Sequence, residues 1–153
     1  MNQPNVKLIQ KNRKAYFNYE ILEKYEAGLV LKGTEVKSIR EGQLSITESF
    51  ARPSKGELFI YQMDISPYKC SRIDKYDPKK PRKLLLKKAE ISRLIGKIKE
   101  KGLTLIPLSL YFKNGLAKIE LGLGRGKKLY DKRESIKKKT VEQEIRRAVK
   151  SRK

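Results

Sequence analysis

Apolar positions change their spacing several times along this chain, and each change predicts an element. Tyr16–Leu22 mixes aromatic and aliphatic residues with polar ones, and Gly28–Leu31 follows soon after; both read as strand. Thr34–Arg40 reads as a short helix. Val36 and Ile39 lie three apart, Glu35 sits in the first turn, Arg40 in the last, and Gly42 follows. Leu44–Ile46 and Leu58–Tyr61 are short strands, and Pro53-Ser54-Lys55-Gly56 between them is turn chemistry. Residues 64–83 read as a loop, because Pro67, Pro78 and Pro81 interrupt any regular pattern. Ala89–Lys101 is the clearest helix: Ile91, Leu94, Ile95 and Ile98 make one stripe and Gly102 closes it. Leu103–Phe112 and Leu116–Leu123 flank Asn114-Gly115, a two-residue hairpin signal, and Pro107 points to an edge strand or a bulge. Five or six short, mostly antiparallel strands with one substantial inserted helix predict a mainly β fold, a small closed or partly closed barrel.

Composition adds a division to this picture. At 153 residues the chain is about one domain, and its 38% hydrophobic residues can build a core. With 36% charged residues and no Trp, part of it is expected to remain unpacked. The net charge of +21 is uneven: residues 69–101 and 125–153 each carry +9, whereas 15–68 and 102–124, where the apolar patterns lie, are near neutral. Cationic blocks around a neutral core suit a phosphate polyanion, since each neutralised phosphate releases condensed counterions. Cys70 stands alone, which excludes an internal disulfide and suits a reducing compartment. Met1–Asn5 lacks the apolar run of a signal peptide, and no stretch approaches the roughly 18–20 apolar residues that span a bilayer. The expectation is a cytoplasmic protein with no membrane partner.

The absence of histidine removes Ser-His-Asp and Cys-His nucleophile systems and His-containing zinc sites, and one cysteine cannot complete a thiolate set. The acid pairs Glu23/Glu26 and Asp74/Asp77 read as solvated charges, with a two-carboxylate Mg²⁺ site as the formal alternative. No catalytic residue, cofactor or metal is expected. Gly122-Leu123-Gly124-Arg125-Gly126-Lys127-Lys128 fails as a nucleotide phosphate loop: three residues, not four, separate Gly122 from Gly126, and Lys128 replaces the hydroxyl residue. It reads as a flexible strand exit, as a close backbone approach to RNA phosphate with Lys127 and Lys128 as the charges, or as both. Lys79–Lys88 holds six cations around three leucines and a proline. Upstream, Tyr68 and Tyr76 either stack on unpaired bases or pack in the core. In residues 131–153 the apolar stripe is too thin to hold a helix alone. This tail is expected to be disordered when free and helical on a polyanionic surface, a docked C-terminal helix being the alternative. Tyr130 is the only aromatic residue at its start, which disfavours a membrane role.

Six motifs in order then carry a resemblance. They are Asn12-Arg13-Lys14-Ala15, Tyr25-Glu26-Ala27-Gly28, Gly33–Arg40, Asp77-Pro78 followed by Arg82–Leu86, Leu108–Asn114, and Gly126-Lys127-Lys128 followed by Asp131-Lys132-Arg133. From about Asn12 to the end the chain resembles the SsrA-binding protein family (small protein B), bacterial trans-translation factors. The resemblance implies an oligonucleotide-binding barrel over residues 1–130 with added helices, and a basic tail over 131–153. It implies a monomeric, non-enzymatic adaptor that binds the tRNA-like domain of transfer-messenger RNA. That complex enters stalled ribosomes at the small-subunit decoding centre and mRNA channel, so that the nascent peptide is tagged and the ribosome rescued. By matching position, Glu26, Leu85 and Lys118 look like RNA-binding residues, and Arg13, Lys37, Arg82, Lys83, Lys127 and Lys128 extend that set. Gly126, Tyr130, Asp131, Lys132, Arg133 and Ile145 fall to the ribosome-directed tail. Many relatives have histidine at Tyr76 and Tyr130, where Tyr keeps stacking but not a titrating proton. Family members often have Gly-Asn near Cys70-Ser71. Two rival readings remain: a basic ribosomal or ribosome-assembly protein, and a carboxylate-dependent metallonuclease.

Overall fold

Asn12 shows how local chemistry starts the architecture. Its buried side-chain oxygen accepts from the Ala15 amide at 3.2 Å and caps a short helix, while its Nδ2 donates to the Pro107 carbonyl at 2.9 Å. In the computed structural model, which describes residues 5–68 and 76–127, that helix is α1 (Arg13–Asn18). It follows β1 (Val6–Lys11) and leads directly into β2 (Tyr19–Leu29). Then come α2 (Gly33–Arg40), β3 (Leu44–Ser45), β4 (Phe50–Ser54), β5 (Glu57–Tyr61), β6 (Asp64–Ile65), β7 (Arg82–Leu85), α3 (Lys88–Lys101), β8 (Thr104–Lys113) and β9 (Leu116–Gly126).

Seven strands form one sheet in the order β1-β8-β4-β5-β7-β2-β9, and a further pairing of β8 with β9 closes it. The result is an antiparallel six-stranded ring with β1 laid against the end of β8, and β3 pairs separately with β6. This is the mainly β, oligonucleotide-binding-like barrel that the sequence predicted. Ile60, Leu84, Leu105, Leu110, Ile119, Leu121 and Leu123 point inward and are fully or almost fully buried. Helix α3 adds Leu94, and α2 adds Ile39.

Pro107 marks a bulge rather than an edge: the β8–β9 register shifts between Pro107 and Ser109. The extra residue inverts the alternation. Leu110 and Phe112 enter the barrel core, whereas Ile106 and Leu108 turn the other way and pack with Ala15 of α1 in a second, smaller cluster. The Asn114-Gly115 turn is as expected, with φ of 52° and 80°.

Several expected boundaries move. Tyr16–Asn18 belongs to helix, because the Asn12 cap and burial of Ala15 outweigh the strand propensity of the aromatics. The rest of the predicted strand at 16–22 runs on into the start of the one at 28–31 as a single strand, β2, which stops at Leu29 and whose middle carries Glu23, Lys24 and Glu26. The predicted loop over 64–83 contains β6 and the start of β7, and β1 and β4 were not anticipated. Tail residues 131–153, Cys70 and Asp74 lie outside the described residues.

Candidate nucleic-acid interface

Three residues far apart in sequence meet through strand pairing. β2 pairs with β9 so that Gly28 faces Lys118 and Glu26 faces Glu120, and β2 pairs with β7 so that Gly28 also faces Leu85. Residues opposite one another in a sheet share a face, so Leu85, Lys118 and Glu26 lie on one outer surface. Gly28 makes their approach possible. A Cβ there would lie 3.3 Å from Leu85 Cβ and 3.8 Å from Lys118 Nζ, filling the gap between them. Leu85 is 50% exposed, an aliphatic side chain with no core role.

The pairing of β8 with β9 extends this face, because Tyr111 lies opposite Lys118 and Leu8 of β1 opposite Tyr111. The Tyr111 hydroxyl donates to Glu26 Oε2, and Lys113 Nζ stands 3.4 Å from Oε1. That hydrogen bond holds the Glu26 carboxyl below its ordinary range against partial burial, and Lys113 and Lys118 reinforce it. Burial, with the Glu26 carboxylate beside it, pushes the Tyr111 hydroxyl up, so it remains a protonated donor. Glu26 is therefore an oriented, ionised acceptor within a cationic surround.

The other predicted residues distribute around the barrel. Arg13 is exposed at the start of α1. Lys37 is exposed on α2, with its ammonium 5.5 Å from the Tyr68 ring centroid. Lys83 pairs with Glu57 at 2.9 Å. Gly126 and Lys127 lie at the opposite end of β2 from Gly28, where Gly126 pairs with Tyr19 and the Lys127 amide donates to Asn18. Nine residues of strand separate the two ends, about 30 Å at ~3.3 Å per residue. Lys128, Tyr130, Asp131, Lys132, Arg133 and Ile145 lie outside the described residues.

Arg82 requires a correction. Expected at the RNA surface, it is 2% exposed, and its Nε donates to Glu35 Oε2 at 2.6 Å. Its two terminal nitrogens donate to the carbonyls of Met63 and Pro78 and to the Tyr76 hydroxyl. A guanidinium among leucines reads as a surface cation; only the fold supplies the buried acid that draws it inward. Tyr76 takes the packed alternative, its hydroxyl donating to the Ile65 carbonyl at 2.9 Å.

Two glycines of the glycine-rich run, Gly122 and Gly124, are packing positions. Gly122 and Gly124 are within β9, not at a flexible exit. A Cβ on Gly124 would lie 2.4 Å from the Glu20 carbonyl oxygen, and one on Gly122 would lie 2.9 Å from Leu108 Cδ1. Glu23 and Glu26 do not form a metal pair: Glu23 accepts from Lys97 of α3 at 2.7 Å and from the Tyr25 hydroxyl, away from the Glu26 surround. Sequence reasoning missed Tyr111 and Lys113, although the hairpin register from Asn114-Gly115 places Tyr111 opposite Lys118.

Similarity to known proteins agrees with this arrangement. The SmpB protein family model matches residues 9–151. The SsrA-binding protein of Carboxydothermus hydrogenoformans is 59% identical over 95% of this chain and 98% of its own length. That of Halothermothrix orenii is 55% identical over 99% and 98%. A chain in a solved structure described as "tmRNA-SmpB: a journey to the center of the bacterial ribosome" is 54% identical, with a TM-score of 0.64 over 78% of this chain and 85% of that one. With an antiparallel barrel, a cationic outer face and this similarity along almost its whole length, the chain belongs to the SmpB family of SsrA-binding proteins.

Proposed function

We propose that this protein is an RNA-binding adaptor of trans-translation, working in the cytoplasm. The outer face of β2, β7, β8 and β9 grips the tRNA-like domain of transfer-messenger RNA. The far end, from Gly126 onward, directs residues 131–153 to the decoding centre and mRNA channel of a stalled ribosome. The observation that carries the reading is the convergence of Glu26, Leu85 and Lys118 around the side-chain-free Gly28. Lysine supplies phosphate affinity, the leucine offers an apolar contact for a ribose or base face, and the oriented glutamate accepts from a 2′-hydroxyl or a base amine. The names of the relatives support the RNA partner, and the neighbour's description supports the ribosomal one. A role without bond-making follows: the face binds and presents an RNA.

The test is binding of the tRNA-like RNA across a salt series. Lys118→Ala is expected to weaken binding and lower the log–log salt slope by about 1. Glu26→Ala is expected to reduce the preference for this RNA over bulk tRNA with little change in slope. Truncation after Gly126 is expected to spare RNA binding and abolish peptide tagging. Equal affinity of the intact protein for this RNA and bulk tRNA at physiological salt overturns the reading.

A further inference from the structure

We propose that Tyr16, flanked by Lys11 and Lys24, is a stacking site for an unpaired base of the bound RNA, a second contact beside the Glu26–Lys118 face. The proposal rests on the RNA-binding reading above and assigns a specific subsite to it.

Three elements build the site. Burial of Ala15 against Ile106 and Leu108 anchors α1 to the barrel, and Tyr16, next along the chain, is left 36% exposed. Its ring has Lys11 Nζ of β1 at 5.8 Å from the centroid and Lys24 Nζ of β2 at 5.6 Å. Two ammonium groups around one exposed ring repel each other, and protein carboxylates relieve them little. Among the described residues Lys11 has no ion pair, and Lys24 reaches Glu120 Oε1 only at 4.0 Å, the outer limit of a contact. A nucleotide fits both features at once. Its base lays a π-face on the tyrosine, and its phosphate neutralises the lysines. An acidic peptide would satisfy the charge and leave the ring uncovered.

The position fits the same ligand. Lys24 lies four residues before Gly28 on β2, about 13 Å along the strand. Glu120, which Lys24 approaches, is paired with Glu26, so the platform continues the proposed face toward Gly126. Stacking of this kind tolerates any base, so the site selects an unstacked nucleotide at the right distance rather than a sequence.

The chain contains no tryptophan, so Tyr16→Trp introduces a single fluorophore at the site. This variant is titrated with the tRNA-like RNA while binding is followed in parallel by gel mobility. The expected result is quenching of the Trp emission along the same isotherm as the mobility shift. Tyr16→Ala is expected to weaken binding about ten-fold, and Tyr16→Phe to bind like the unmodified protein. Normal mobility shifts with unchanged Trp emission, or full affinity of Tyr16→Ala, overturn the stacking site and leave the Glu26–Lys118 reading intact. Absence of preferential binding by the unmodified protein overturns both.

Discussion

Removing Arg82 while leaving Glu35 is the sharpest test of how this barrel is held. Both side chains are almost wholly buried, 2.6 Å apart, so water does little to screen their attraction. In Arg82→Met the carboxylate keeps the Lys32 amide at 2.9 Å and Lys80 at 3.4 Å, and the Met63 and Pro78 carbonyls lose a donor. Breaking a buried pair from one side costs about 3–5 kcal/mol, and this should appear at pH 7 as a lower urea midpoint followed by circular dichroism. The pH dependence adds a sign. In the native protein burial pushes the Glu35 carboxyl up, but the Lys32 amide and Arg82 together hold it below its ordinary value. Its contribution is therefore present above the unfolded carboxyl pKa and lost as pH falls through the lower folded one. Without Arg82, burial is opposed by the Lys32 amide, Lys80 and the Tyr76 hydroxyl at 3.3 Å, and the folded pKa is expected to rise above the unfolded value. Protonation then relieves the buried charge, so the deficit of Arg82→Met should shrink between pH 7 and pH 4. Replacing both residues by apolar ones should recover much of the loss. A deficit below about 1 kcal/mol at pH 7, or one that grows on acidification, would refute the reasoning.

Gly124→Ala should cost about 2–3 kcal/mol or more in thermal or urea unfolding, because the Cβ meets the Glu20 carbonyl backbone. Gly126→Ala, with nothing within 4 Å of its Cβ, should stay within about 0.5 kcal/mol, and equal losses would show that the run is not a packing device. A double-mutant cycle of Tyr111→Phe with Glu26→Ala, read by RNA affinity, should show a coupling of about 1 kcal/mol; additive losses would mean that Tyr111 touches the RNA independently. In the same Tyr111→Phe variant the Glu26 carboxyl, followed by carbon NMR, should titrate closer to its ordinary value than in the native protein, since the hydrogen bond that lowers it most is gone.

Periodic segments were legible from the chain alone. The Leu94 stripe, the Gly102 stop, the Asn114-Gly115 hairpin and the break at Pro107 each follow from short-range chemistry that acts the same way in any context. Short strands with charged residues in them were not: β1, β4 and β7 are stabilised by neighbours distant in sequence, and their own patterns are too brief to register. The Asn12 cap was visible in principle, an Asn three residues before Ala15, but the aromatics after it mimic a strand.

Charge layout, missing histidine and ordered motifs were determined by the residues themselves, and they sufficed to indicate a polyanion-binding protein without a histidine-based active site. Which cations face outward was decided only by the folded chain. Arg82 and Lys83 are neighbours of like charge, yet one is drawn into the interior by Glu35 and the other is half-buried beside Glu57 at the surface. Strand alternation puts adjacent residues on opposite faces, and which face is interior depends on how the ring closes through β8 and β9. The same closure places Leu85, Lys118 and Glu26 around Gly28, a juxtaposition set by strand register and therefore by contacts between distant segments.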